Sequence, residues 1–189
     1  MSIAKEVTLK ELLLSRDRRA ERQRELINRF GVALISFTIN MPGKFKDTPV
    51  SRTLHGEGMH VLRKALSEKG AIVLDQEIYK PITGPEAYIS VNMDELELKK
   101  ILVEIEDQHP VGRLFDFDVI DTSYHIVKRS EVGQPSRKCL ICEQDAVICV
   151  RSQRHSYDEL IEKINITVKE YFNQKFNKQS LFVYSLNDI

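Results

Sequence analysis

The chain has 189 residues, enough for one domain with a buried core, and its 28 basic side chains balance 28 acidic ones. A chain without net charge has no global field that draws it to a polyanion, so neither nucleic acid nor an anionic membrane surface is expected as a partner, and any phosphate affinity must come from local clusters. No apolar run nears the roughly 20 residues of a bilayer span, and the N-terminus lacks the apolar stretch of a signal peptide. Three cysteines cannot all pair within the chain, so a cytoplasmic protein with free thiols or metal ligands is expected.

Residues 8–29 read as a helix, with Leu9, Leu13, Ala20 and Ile27 near helical spacing and Thr8 with Glu11 as a capping box. It is rich in arginine. Arg18 and Arg22, one turn apart, are candidates to grip one phosphate group, although a solvated helix laced with ion pairs gives the same pattern. Val32–Asn40 alternates as a first strand, and the loop after it carries Lys44 and Lys46. Residues 52–69 form a second helix that ends at Gly70, and Ala71–Tyr79 a second strand. Pro81-Ile82-Thr83-Gly84-Pro85 turns the chain into a third strand, Glu86–Asn92. Asn92 with Glu95 is the expected cap of a third helix, which has Leu98, Ile101, Leu102 and Ile105 inward and His109 at its C-terminal end.

The most informative stretch follows, Gly112-Arg113-Leu114-Phe115-Asp116-Phe117-Asp118-Val119. As an extended strand over 113–121 it puts Asp116 and Asp118 on one face, their α-carbons roughly 6.5 Å apart, within joint reach of one divalent cation. Two acids on the wet face of a half-exposed strand, answered by a lysine or arginine across the sheet, have the same pattern. The element order, strand-helix-strand-strand-helix-strand, predicts an α+β fold with a ferredoxin-like split β-α-β core, an N-terminal helix and a C-terminal helical extension. In that arrangement both helices of the core lie on one sheet face and the other is free. Tyr124–Arg129 is expected to add a hairpin strand, and residues 130–138 to be loop.

From Arg137 the composition changes. Cys139, Cys142, Cys149 and His155 follow a C-x2-C-x6-C-x5-H spacing, a donor set suited to tetrahedral zinc, with incidental core cysteines as the alternative. Arg137 and Arg151 add positive charge nearby. Ser156 with Glu159 opens a last helix, striped by Leu160, Ile164, Val168 and Tyr171, and residues 180–184 read as one more strand or a docking tail. The chain is thus expected to be a single domain over 1–189. Its α/β core spans 30–129, and the Cys/His segment with its helix spans 137–176.

Five phrases, in order, resemble the apo-citrate lyase phosphoribosyl-dephospho-CoA transferases, the holo-acyl-carrier-protein synthases of citrate lyase. They are Arg16-Asp17-Arg18-Arg19-Ala20-Glu21-Arg22-Gln23, Asn40-Met41-Pro42-Gly43-Lys44, Thr83-Gly84-Pro85-Glu86-Ala87, the Gly112–Val119 phrase, and Arg137–Cys142 with Cys149, Arg151, Ser152 and His155. The resemblance implies an enzyme of nucleotidyltransferase type that attaches the prosthetic group of triphosphoribosyl-dephospho-CoA to a serine of the citrate lyase acyl-carrier subunit. Asp116 and Asp118 would then be catalytic ligands of Mg2+. Arg18, Arg22, Lys46, Arg113, Arg137 and Arg151 are the candidates for the phosphates, Glu86 for a third carboxylate, and His155 for substrate contact or zinc, but not both. A non-catalytic, zinc-stabilised module that binds protein or RNA is the alternative.

Overall fold

Thr8 begins the first ordered element as its sequence implies: its hydroxyl accepts the Glu11 N–H at 3.2 Å while the Glu11 carboxylate takes the Thr8 N–H at 2.8 Å. The computed structural model describes residues 5–185, with side chains through Asn177, in two compact units that divide between Ser136 and Arg137. The first unit contains α1 (Leu9–Phe30), β1 (Ala33–Ile39), α2 (Pro49–Glu68), β2 (Ile72–Tyr79), β3 (Glu86–Asn92), α3 (Glu95–Gln108) and β4 (Phe115–Ile120). α1 stops at Gly31, whose φ of 64° closes the helix with an N–H to the Ile27 carbonyl. α2 starts three residues earlier than expected, because Thr48 caps it, Pro49 occupies its first turn and Ser51 completes a capping box. The cap of α3 is Asp94 rather than Asn92: its carboxylate accepts the N–H groups of Leu96 and Glu97, whereas Asn92 still pairs with Ile72 in the sheet.

The fold is α+β, with a four-stranded antiparallel sheet in the order β2-β3-β1-β4. One face carries Ile35, Phe37, Ile89, Phe115 and Phe117, all at most 2% exposed, against α2 and α3. Phe37 stacks between Phe117 at 4.2 Å and His55 of α2 at 4.7 Å. Gly58 lets α2 come this close, since a Cβ there would lie 2.3 Å from the Phe37 ring.

The second face is not free, contrary to expectation. α1 lies on it, and Leu26 and Ile27 are buried with Leu34, Tyr88 and Ile120, which stabilises the docking by about 3–6 kcal/mol as an upper estimate. This is why β3 is buried on both faces up to its last residue. The expected apolar stripe of α1 fails in its first half. Leu9, Leu13 and Leu14 are exposed while Ser15 is buried, because the sheet beneath that half is polar.

The acid strand is shorter than 113–121. Residues Gly112–Leu114 form a 3-10 turn and the strand starts at Phe115. Gly112 sits against the end of α3, where a Cβ would meet the carbonyl oxygens of Ile105 and Glu106 at 2.5 and 2.6 Å. β4 is an edge strand. Two buried charged side chains of α3 satisfy its outward backbone groups: Lys99 Nζ donates to the Phe117 carbonyl at 3.0 Å, and the Phe117 N–H donates to Glu106 at 3.1 Å. Arg129 neutralises Glu106 at 3.3 Å and Asp107 at 2.5 Å. The hairpin strand expected over Tyr124–Arg129 reduces to a single bridge, Ile120 with Ile126, and Arg129–Val132 forms a 3-10 helix that takes in the start of the loop expected over 130–138.

The second unit starts with a small hairpin. The Cys139 N–H donates to the Gln144 carbonyl at 2.7 Å and the Ala146 N–H to the Arg137 carbonyl at 2.8 Å. α4 (Ala146–Arg151) follows directly, then α5 (Tyr157–Ser185). Ser156 caps α5 through a reciprocal pair with Glu159, at 3.2 and 2.7 Å. Residues 180–184, expected as a strand or tail, continue this helix through Ser185.

Candidate active site

Register decides which side chains meet on the polar face. Thr38 of β1 lies opposite Asp116 of β4 on one side and Glu86 of β3 on the other, while Ser36 lies between Asp118 and Tyr88. Cross-strand partners share a face, so Asp116, Asp118, Thr38, Ser36, Glu86 and Tyr88 line one face of the sheet, the face on which α1 lies. Glu77 and Tyr79 of β2 extend it, opposite Tyr88 and Glu86. Asp116 and Asp118 are both half-buried and on the same side, as their spacing requires. The Thr38 hydroxyl is 3.4 Å from Asp116. Two strand spacings of about 4.8 Å separate the Asp116 and Glu86 backbones.

α1 adds cations to this surface. Arg18 donates to Glu86 at 3.0 Å and to the Ser15 hydroxyl at 3.3 Å, and Arg19 lies 3.9 Å from the second Glu86 oxygen. Glu86 is 3% exposed, so the candidate third carboxylate is buried between two guanidinium groups. Ser15 also meets Thr83 at 2.9 Å, which ties the turn before β3 to the helix. Arg22 is committed differently. Its guanidinium grips both oxygens of Glu77, with the Nε bond at 2.8 Å, and reaches Glu25 at 2.5 Å. Arg18 thus holds Glu86 and Arg22 holds Glu77. The guanidinium holds the Glu77 carboxyl below the usual carboxylate range. Burial pushes the Tyr88 phenol up, and the neighbouring Glu86 charge adds to that. Arg18, Arg22, Tyr79, Lys80, Pro81, Glu86 and Tyr88 line an open cavity of about 410 Å³.

The remaining candidates of the first unit lie at the ends of these strands. Lys46 turns its amine to the Met41 carbonyl, and burial holds its pKa below the ordinary lysine value. Its backbone packs beside Gly84, where a Cβ would lie 3.3 Å from the Lys46 carbonyl oxygen. Arg113 sits on the 3-10 turn just ahead of the acid strand rather than on the strand itself. His109 is the C-cap residue of α3 and lies 3.8 Å from the buried Glu57 of α2. Sequence reasoning missed Glu77, Ser15, Thr83 and Gln23, which donates to Ser36 at 3.0 Å. Ser15, Arg18 and Arg22 recur at i, i+3 and i+7, a polar stripe that marks the inward face of α1.

Arg137, Arg151 and His155 belong to the second unit. There Cys139, Cys142, Cys149 and His155 converge, with one donor atom of each within 4.8 Å of all the others. Cys142 Sγ lies 3.5 Å from Cys149 Sγ and 3.3 Å from His155 Nε2. Burial pushes the Cys149 thiol up to about 11, and the two other thiols add to this. Burial also opposes ionisation of Cys139, but N–H donors from Cys142 and Ile141 outweigh it and bring that thiol below its ordinary value. The group could hold a metal ion such as zinc.

Residues 7–171 match the family model described as CitX, apo-citrate lyase phosphoribosyl-dephospho-CoA transferase. A Vibrio cholerae serotype O1 protein named probable apo-citrate lyase phosphoribosyl-dephospho-CoA transferase is 40% identical over 166 residues, covering 87% of this chain and 93% of that protein. An Escherichia coli O1:K1 / APEC protein of the same name, without the qualifier, is 35% identical over 164 residues, covering 87% and 90%. Among the described residues no helix is long and apolar enough to cross a membrane.

Proposed function

The chain belongs to the apo-citrate lyase phosphoribosyl-dephospho-CoA transferase family, and on that premise we propose that it transfers the phosphoribosyl-dephospho-CoA group of a triphosphoribosyl precursor to a serine of the citrate lyase acyl-carrier subunit. The serine oxygen attacks the phosphorus nearest the ribose and loses its proton as the new P–O bond forms. The P–O bond to diphosphate breaks, which makes this a reaction of nucleotidyltransferase type. The observation that carries the reading is the pair Asp116 and Asp118, half-buried side by side on an edge strand and on the same face as Arg18 and Glu86.

Two aspartates in that position fit a hard divalent cation, which prefers carboxylate oxygen. Mg2+ held by Asp116 and Asp118 would offset the charge of the triphosphate and of the leaving diphosphate. The protein's own cations divide the remaining work. Arg18 is about half exposed at its side chain and anchored by buried Glu86, so it presents a pre-oriented fork to a phosphate in the 410 Å³ cavity. Arg22, bound to Glu77 and Glu25, holds β2 and α1 together as the wall of that cavity. Arg113, at the entry to the acid strand, and Lys46, beside the Gly84 turn, are the next phosphate contacts. Arg137 and Arg151, in the second unit, are further candidates for the phosphates, and His155 for substrate contact where it holds no metal. A structural zinc in the Cys3His group is compatible with all of this, because it leaves the acid pair untouched.

We read the core as a ferredoxin-like split β-α-β arrangement. The β-α-β-β-α-β element order and the β2-β3-β1-β4 sheet support it, with α1 added on the second face. A cytoplasmic setting goes with this reading. The test is to incubate the protein with the apo acyl-carrier subunit, triphosphoribosyl-dephospho-CoA and Mg2+ and to weigh the carrier. A gain equal to the prosthetic group is expected, with diphosphate released in equal amount. An unchanged carrier mass overturns the proposal and leaves the zinc-stabilised binding module.

A further inference from the structure

We propose that Cys139, Cys142, Cys149 and His155 bind one zinc ion as a closed, four-ligand structural site, through three thiolates and His155 Nε2. Zinc with thiolate ligands at about 2.3 Å sets neighbouring sulfur atoms roughly 3.8 Å apart at the corners of a tetrahedron. The four donor atoms already lie within 4.8 Å of one another, with 3.5 Å between Cys142 and Cys149 and 3.3 Å from Cys142 to His155. Closing the tetrahedron therefore needs shifts of an ångström or less. A disulfide between Cys142 and Cys149 would account for two of these side chains. It would not account for a third cysteine and a histidine aimed at the same point.

The backbone supports each ligand separately. Cys139 and Cys142 flank the tip of the hairpin, and the Ile141 N–H points at Cys139 Sγ at 3.5 Å, a donor that favours a thiolate there. Cys149 is buried one turn into α4. The chain then reverses through Gln153, at a φ of 47°, with the Arg154 N–H on the Cys149 carbonyl at 3.1 Å. His155 immediately precedes Ser156, which the reciprocal cap with Glu159 fixes at the start of α5. Three thiolates and an imidazole favour a borderline-soft ion over magnesium or calcium. Because all four positions are filled by protein, the ion has no open site for water or substrate, and its role is to hold the fold.

The segment needs such a staple. α4 has six residues, far below the length at which a helix persists unaided, and it leaves Val147, Ile148 and Val150 more than half exposed. A hairpin and a single helical turn with so little apolar burial hold together when a metal ties them. This inference does not rest on the transfer reaction.

The test is elemental analysis of the full chain, purified without chelator and then dialysed. One zinc per chain is expected, and the single variants Cys139→Ser, Cys149→Ser and His155→Ala should each lower the content at least tenfold. Because these variants could fail to fold for other reasons, the unaltered protein is also reconstituted with cobalt. Intense visible bands of four-coordinate, thiolate-bound cobalt are expected, and the weak spectrum of a six-coordinate ion overturns the proposal. Zinc far below one per chain after incubation with equimolar zinc, or an intact mass lighter by two hydrogen atoms from a Cys142–Cys149 disulfide, overturns it as well.

Discussion

Asp116→Asn and Asp118→Asn separate chemistry from scaffolding. Each change keeps shape and one acceptor oxygen and removes one charge. Both aspartates are half-buried on an edge strand, where an ion pair contributes about 0–1 kcal/mol. Two unit charges about 6.5 Å apart repel by roughly 0.6 kcal/mol in water. These contributions are small and opposite in sign, so either variant should unfold within about 1 kcal/mol of the parent, a change in Tm of at most about 2–4 °C for a chain of this size. Catalysis responds on another scale. Loss of charge stabilisation aimed at the transition state costs about 3 kcal/mol or more, at least two orders of magnitude in kcat. The assay follows the carrier mass with time at saturating precursor and runs a thermal melt on the same preparations. Added Mg2+ should raise the Tm of the parent and leave both variants unmoved. If both variants transfer at the parent rate, or lose several kcal/mol of stability in proportion to their loss of activity, the acids are scaffold and the site assignment is wrong.

Two further outcomes follow from buried polar groups of the core. Lys99→Met removes the donor to the Phe117 carbonyl and should lower stability by about 1–3 kcal/mol, read as a lower urea midpoint at constant m-value; a shift under about 0.5 kcal/mol would show that water takes the lysine's place. His55, 4% exposed and stacked on Phe37, has its pKa held down to about 4 by burial, with Lys80 adding to the effect. The unfolded imidazole titrates near 6.5, so the unfolded state binds more protons between those values. The contribution of neutral His55 is complete above about pH 6.5 and falls as pH drops toward 4, by up to about 3 kcal/mol. His55→Phe should flatten that limb of the stability profile, and an unchanged limb would place the titration elsewhere.

The elements of the first unit were legible wherever local chemistry determined them. Thr8 with Glu11 marks the start of α1, and the alternation in Glu86–Asn92 marks β3, both as observed. Asp116 and Asp118 share a face because period 2 requires it. What the sequence hid depends on long-range contacts. Helical spacing marks Leu9 and Leu13 as part of the inward stripe of α1, but the sheet presents Glu86 and Glu77 to the helix, so Ser15, Arg18 and Arg22 turn inward instead. No local pattern reveals that Glu86 is buried or that Lys99 and Glu106 point at an edge strand, since acids and lysines on a helix usually read as solvated. Strand length at 113–121 was overestimated because the close approach of Gly112 to the carbonyls of α3 is a tertiary requirement.

The buried side chains of α3 on β4 also determine how this molecule behaves in a crowded solution. With Lys99 and Glu106 occupying the outward amide and carbonyl of Phe117, that margin offers little for a stray extended peptide to zip onto. In the folded protein the margin that bears the aspartates is thus shielded from intermolecular ladder growth.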